Sequence, residues 1–422
     1  MRRRDMLRWL AALGAVGLAD PGLVLARRKA SARGQTTGRE QDHKAAAAGA
    51  RPGKRLVVVL LQGGPDGLSL AAPTADPFYP ALRPTTAIVP GKDSLDLGGG
   101  FILHPALAPL FPFWKQKKLA VIPACGLPGV APEHQAALAS FAAGVPAKDA
   151  PRKSGWLGRL SLALGGERAQ MLVGSLSPVF AGAPHYKLLA PGRGPSLPAP
   201  VPEDQALFEA ESRLFDGRTA LDTAFTAGRK ARSALQSRFL AESRESAAGA
   251  VPAPTFARYG ERFGRELAER RDASLGFVAV SGFDTHVSQG AGQGYLADRL
   301  CETAEGLSGL LDGLGKAADG TVVVALGEFG RRVRENAFGG TDNGRGGVML
   351  VMGGPVAGGR VLGPWPGLAD HRLAEGQDVD VATDWRGVVA EIARYHLGLP
   401  EKRLAEIFPG FTPQGPPPSV LA

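Results

Sequence analysis

A chain of 422 residues with 44% hydrophobic and 21% charged residues has a globular composition, which excludes a disordered, collagenous or disulfide-scaffold protein. Its net charge of +9 belongs to the first 55 residues, where 13 Lys/Arg face 4 Asp/Glu; residues 56–422 hold 36 of each sign. The globular part has no basic stripe, so the charge does not make nucleic acid an expected partner.

In chain order, Arg2-Arg3-Arg4 and Asp5-Met6-Leu7 precede an apolar run from Trp9 to Leu18 and then Val24-Leu25-Ala26. A charged start, a modest apolar core and a small-residue end read as an export signal over residues 1–26. The arginine pattern is that of the twin-arginine type, which carries proteins already folded. The run falls well short of the ~20 apolar residues of a spanning helix, and no other segment approaches that length. The expectation is a mature chain with no transmembrane segment, in the periplasm or at the cell surface. Residues 27–55 lack apolar periodicity and read as a flexible basic linker.

Five apolar runs rich in β-branched residues follow: Leu56–Leu61, Leu119–Ala124, Leu275–Val280, Thr321–Leu326 and Val348–Met352. Such uninterrupted runs suit strands buried on both faces, as in a parallel sheet. Helical spacing lies between them. Residues 104–115 and 133–143 are weakly periodic, Leu296 to Leu314 steps by three and four, and Trp385–Leu397 makes a C-terminal helix. Residues 204–247, rich in Ala, Arg, Glu and Leu, read as helical within an insertion over about 204–272, after a Pro-rich loop from Pro191 to Pro202. A Pro-rich tail covers 412–422. Alternating strands and helices predict right-handed crossovers, hence one α/β domain over 56–411: three layers, α/β/α, with a mostly parallel central sheet and a helical insertion.

Ligands of open parallel sheets bind beyond the carboxyl ends of the strands, and the polar clusters of this chain fall there. Asp66 follows the first strand, Glu133-His134 the second by way of a loop, Asp284 and His286 the third, Glu328 and Arg331 the fourth; Asp342, Asn343 and Arg345 come just before the fifth. Carboxylates with imidazoles are the ligand set for zinc, manganese and similar divalent ions, while calcium and magnesium take the carboxylates. Asp284 and His286 stand two apart at a strand end, so alternation aims both side chains the same way. Blander roles stand beside these. Asp66 in a Gly-rich turn is a turn former, His134 is a surface helix residue, and Glu328 with Arg331 is an ion pair at a helix start. The chain has no G-x-G-x-x-G, no G-x-x-x-x-G-K-[ST] and no G-x-S-x-G motif. Cys125 and Cys301 fit either a disulfide or two free thiols, and their spacing matches no zinc motif.

Taken in order, LVVVLLQGGPDGLSLAAP, FILHPALAPL, GWLGRL, GFDTH, ALGEFGRRVREN, GGTDNGRGGVMLVMGG, GGRVLGPWPGL and TDWRGVVAEI resemble a twin-arginine-exported bacterial family of no settled function. That family is placed in the alkaline-phosphatase-like superfamily, which includes sulfatases. The resemblance covers roughly residues 1–180 and 275–411. It implies the three-layer fold, one or two divalent metals, and hydrolysis of small anionic phosphate or sulfate esters. It also implies Asp66, Asp284, His286, Glu328 and Asp342 as metal-site residues and His134 as an acid/base or a ligand. Arg331 and Arg345 would hold substrate oxygens, a task suited to guanidinium. Two positions depart from the family pattern: Asn343 replaces a His, and Glu133 replaces the Ser before His134 that is the natural nucleophile. Ser69 and Ser140 are the nearest substitutes. These departures support a second expectation, a non-catalytic envelope protein that binds a metal, a glycan or a protein partner.

Overall fold

A computed structural model describes residues 51–422 except 52, 152–153, 167–169, 192–214, 216–218 and 414–417. The expected export signal, residues 27–50 of the linker and nearly all of the Pro191–Pro202 loop lie outside the described residues.

Each of the five apolar runs forms a strand, and shorter ones complete a ten-stranded sheet. In chain order they are β1 (Arg55–Gln62), β2 (Leu119–Gly126), β3 (Gln170–Val173), β4 (Tyr186–Leu188), β5 (Val251–Pro252), β6 (Ala273–Ser281), β7 (Thr321–Gly327), β8 (Gly347–Met352), β9 (Arg360–Val361) and β10 (Thr383–Asp384). The spatial order is β9-β2-β8-β7-β1-β6-β3-β4, with β5 on β6 and β10 on β2. β1 lies at the centre, parallel to β7 through Val58↔Val324 and to β6 through Val58↔Phe277. Only β8 runs against its neighbours. The sheet is thus mixed and mostly parallel.

Burial on both faces follows from the two-residue period of a strand. Leu56, Val58 and Leu60 of β1 enter one core, and Val57, Val59 and Leu61 enter the other. The first core is covered by α1 (His134–Ala143), α2 (Trp156–Ala163) and, later in the chain, a helix from Trp385 to Glu391. There Phe141, Trp156, Trp385 and Phe408 pack ring against ring. The insertion region contributes α3 (Ala220–Ser246) and α4 (Ala253–Glu269). α4 covers the second core together with α5 (Tyr295–Leu314). Phe256 and Phe263 of α4 are fully buried, each worth about 1.5–3 kcal/mol of apolar burial. α4 and α5 come close because a Cβ at Gly260 would stand 2.0 Å from the Gly306 carbonyl oxygen. α4 is therefore a layer helix, whereas most of α3 is exposed. No helix among the described residues is long and apolar enough to cross a membrane. Cys125 and Cys301 are both free thiols.

Candidate metal centre

β1, β6 and β7 run side by side in one direction, so the loops that follow them meet at one rim. The turn Gly63-Gly64 makes the meeting possible. Both glycines have positive φ, and Cβ atoms there would stand 2.4 Å from the Asp284 amide nitrogen and 2.2 Å from the Phe329 ring. Only glycine combines that backbone with that space.

At the rim, Asp284 is the hub. It is 5% exposed; His134 Nε2 lies 3.5 Å and His286 Nε2 3.2 Å from its Oδ1. The other nitrogen of each ring is held by a second carboxylate. His134 Nδ1 is 2.9 Å from Glu328 Oε1, and His286 Nδ1 is 3.2 Å from Asp342 Oδ1. An ionised carboxylate only accepts, so Glu328 and Asp342 each take the Nδ1 side of a ring, and Nε2 is the nitrogen turned to Asp284. Glu328 Oε1 also accepts from the Gly63 amide at 2.9 Å, and Asp342 Oδ1 from Asn336 Nδ2 at 3.0 Å. An aromatic ring backs each histidine: Phe329 lies 4.9 Å from His134, and Phe239 of α3 stacks on His286 at 4.8 Å with the planes 3° apart.

Several buried atoms of this cluster have no hydrogen-bond partner: His134 Nε2, His286 Nε2, Asp284 Oδ2 and Glu328 Oε2. Unpaired buried polar atoms are costly, and four in one cluster mark a place built for something else. His134, Asp284 and His286 each offer a donor atom, all within 4.8 Å of one another. Two imidazoles and one carboxylate, with a carboxylate behind each imidazole, form the donor set of a divalent-cation site such as zinc. Electrostatics agree. Burial opposes charge on His134, but the carboxylates of Asp284 and Glu328 beside it outweigh this and push the ring up to about 9. Burial likewise opposes charge on Asp284, yet His134, Arg331 and His286 hold its carboxyl well below the usual carboxylate range. The hydrogen bond from His286 brings Asp342 down to about 2. A cation bound there would displace the His134 proton that faces Asp284.

The other expected residues are placed differently. Asp66 lies apart, fully buried, and both its oxygens are spoken for. Arg83 pairs with it through both terminal nitrogens, Ser69 Oγ donates at 2.8 Å, Gln289 Nε2 at 2.7 Å and the Leu68 amide at 3.2 Å. Asp66 is thus the N-cap of a short turn of helix, Gly67–Leu70. Arg331, 1% exposed, is spent on the backbone. It donates to the carbonyls of Gly63, Gly64, Phe283 and Thr341 and to Asp284 Oδ1 at 2.9 Å. It ties the strand-end loops together rather than facing a substrate. Arg345 stands farther out, paired with Glu375 and 3.6 Å from Asp378 Oδ2. With Glu328, Phe329, Leu127, Val130 and Val381 it lines a cavity of ≈ 280 Å³, beside the cluster; the Glu328 side chain itself is fully buried. Ser69 bonds Asp66, Ser140 bonds the Ala136 carbonyl at 2.7 Å, and Glu133 is exposed before α1. No side-chain hydroxyl of these positions is free to attack.

Sequence reasoning missed Arg83, Gln289, Asn336 and Phe239. Gln289 joins the two carboxylate centres: its Oε1 accepts from Thr285 at 2.8 Å and Thr341 at 2.6 Å, and its Nε2 donates to Asp66. Nothing in its sequence surroundings marks it.

Comparison with known proteins adds the following. The family model described as protein of unknown function (DUF1501) matches residues 202–384, under half of the chain. No curated protein matches the chain. Among solved structures, the chain is similar to a protein in the alkaline phosphatase superfamily from Vibrio parahaemolyticus, with 10% identity and a TM-score of 0.34 over 84% of this chain and 69% of that one. It is similar to the C-terminal periplasmic domain of EcEptC from Escherichia coli in complex with Zn, with 11% identity and a TM-score of 0.38 over 86% and 88%. Ps i-CgsB in complex with k-i-k-neocarrahexaose gives 8% identity and a TM-score of 0.36 over 84% and 74%. The fold class rests on the strand order and direction given above.

Proposed function

We propose that the chain is an exported hydrolase of small phosphate or sulfate esters with one divalent cation held by His134, Asp284 and His286. The observation that carries the reading is the set of unpartnered donor atoms, His134 Nε2, His286 Nε2 and Asp284 Oδ2, converging in a buried place. Glu328 and Asp342 act from behind, fixing the tautomer and direction of each ring. When bound, the cation would supply Lewis acidity toward an ester oxygen and a lowered pKa for water. Glu328 keeps one buried oxygen unpaired and, in this reading, is the proton acceptor for the attacking water. Arg345 at the cavity mouth would meet an anionic group, exchanging its exposed Glu375 partner for substrate oxygens. The engagement of Ser69 and Ser140 favours water over a side chain as the nucleophile. The Arg2–Arg4 segment supports export by the twin-arginine route.

A second reading, a cation centre that binds a glycan or an envelope protein without turnover, is favoured by that same lack of a free hydroxyl. Titration with Zn²⁺, Mn²⁺, Ca²⁺ and Mg²⁺ followed by an ester panel separates the two. Turnover lost in Glu328→Gln supports hydrolysis, tight binding without turnover supports the second reading, and failure of every cation to bind ends both.

A further inference from the structure

The two histidines of the centre each have a carboxylate on Nδ1 and a phenyl ring beside them, tilted by 46° at His134 and stacked at His286, and the ring behind His286 has a different origin. Phe329 follows Glu328 at the end of β7 and is 5% exposed. Phe239 comes from α3, which stands outside the sheet layers.

α3 begins with a complete capping box, Thr219 with Asp222, which secures its start locally. Its first two thirds are largely exposed, with Leu221 67% and Leu235 37% accessible. Near its end it meets the sheet and the rim. Gln62, the last residue of β1, donates to the Ser246 carbonyl at 2.8 Å. Glu242 Oε1 accepts from Asn343 Nδ2 at 3.5 Å. Phe239 lies flat on His286 and edge-on to Phe338 at 6.0 Å. Residues 239, 242 and 246 step by three and four and so share one face of the helix. That face is turned to the rim, beside the residue where an Asn stands next to Asp342.

We infer that Phe239 is a positioning residue for His286: α3 is part of the cation centre, and its phenyl ring fixes the imidazole plane so that Nε2 faces Asp284. This rests on the cation reading above. Asp342 meets His286 at Nδ1, and Asn336 donates to Asp342 and to the His286 carbonyl; these contacts at the edge leave the tilt of the ring to be stopped by a flat neighbour. Phe239 supplies it at the stacking distance, and offset or parallel aromatic contact is favourable beyond the area it buries. Phe239 thus covers one face of the His286 ring, while Asp342 at its Nδ1 edge stays partly exposed.

The test uses the full mature chain and the variants Phe239→Leu, which keeps bulk without a plane, and Phe239→Tyr, which keeps the plane. Position 239 lies on a helix face at the surface, so neither change threatens the core. Two readouts are taken. In the metal-free protein, ¹H–¹³C spectra of His286 should show ring protons shifted upfield by the stacked phenyl, relaxing in Phe239→Leu and retained in Phe239→Tyr. With Co²⁺ bound, Phe239→Leu should lose the ion to a chelator about 10-fold faster or more, the scale set by residues that orient a metal-bound histidine, and Phe239→Tyr should stay within twofold of the wild type. His286 shifts unchanged in Phe239→Leu, or equal Co²⁺ retention in wild type and Phe239→Leu, would overturn the inference. A wild type that binds no Co²⁺ or Zn²⁺ would end the cation reading instead, and the His286 shifts would still decide whether Phe239 positions the ring.

Discussion

Asp66 and Asp284 stand beyond the ends of neighbouring strands, β1 and β6, and both are buried and held ionised against their burial. They are finished differently. Around Asp66 every acceptor position is filled, and the positive charge is a guanidinium fixed in the chain itself. Around Asp284 one oxygen and two facing imidazole nitrogens are left unpaired. A carboxylate with a built-in cation is a structural joint; one with unfinished partners is a place for a cation that comes from outside. Residue type alone makes the two look equivalent, and the hydrogen-bond count separates them.

The largest expected effect falls on the closed centre. Arg83→Ala leaves Asp66 charged, buried and alone, and the cost is about 3–5 kcal/mol of unfolding free energy, read from the urea midpoint; a loss under about 1 kcal/mol would show that the pair is not structural. On the open centre the effect is on the ion. Asp284→Asn keeps the shape and an acceptor for Arg331, yet cation affinity should fall by more than ~100-fold, beyond what an outer partner costs, with far less loss of stability than Arg83→Ala. Glu328→Gln and Asp342→Asn change residues behind the imidazoles and should cost about 10–100-fold in affinity, measured by competition with a chromogenic chelator. Losses as large as those of Asp284→Asn would make them ligands.

Acid gives a finer cut. Arg83 holds Asp66 below its ordinary 3.8, so the stability it contributes is complete above about pH 4 and is lost as the pH falls below that value. Urea midpoints of the metal-free protein between pH 7 and pH 3 should therefore fall more steeply for the wild type than for Asp66→Asn. Parallel curves would place the acid sensitivity elsewhere. The smallest effect belongs to Arg345. Its pair with Glu375 is largely exposed, so Arg345→Ala should change stability by less than about 1 kcal/mol, while any role toward an ester would appear as a raised KM.

Much of the fold was legible because a strand buried on both faces writes itself as an unbroken apolar run, and five such runs became five central strands. The reversal of β8 was not legible: a run such as Val348–Met352 carries no mark of direction, and its long approach through residues 328–346 reads equally as a loop to either end. At the site, strand-end position brought Asp284, His286, Glu328, Asp342 and His134 to one cluster, as their placement beyond the strands suggests. Their division into facing donors and backing carboxylates depends on which oxygen stays unpaired, which residue order does not encode. Asp66 was drawn toward the same role because its partner Arg83 lies 17 residues on, past a turn with no helical or strand period to carry it back. Phe239 was hidden for a similar reason, since a Phe in an Ala- and Arg-rich helix reads as one more apolar position until the helix is seen against His286.

The central claim is that the centre around Asp284, and not that around Asp66, holds a divalent cation. Elemental analysis of the wild type and Asp284→Ala, both purified from the export compartment without chelator, tests it most directly. One equivalent of divalent metal is expected in the wild type and none in Asp284→Ala. A wild type free of metal, or an ion that persists in Asp284→Ala, would contradict it.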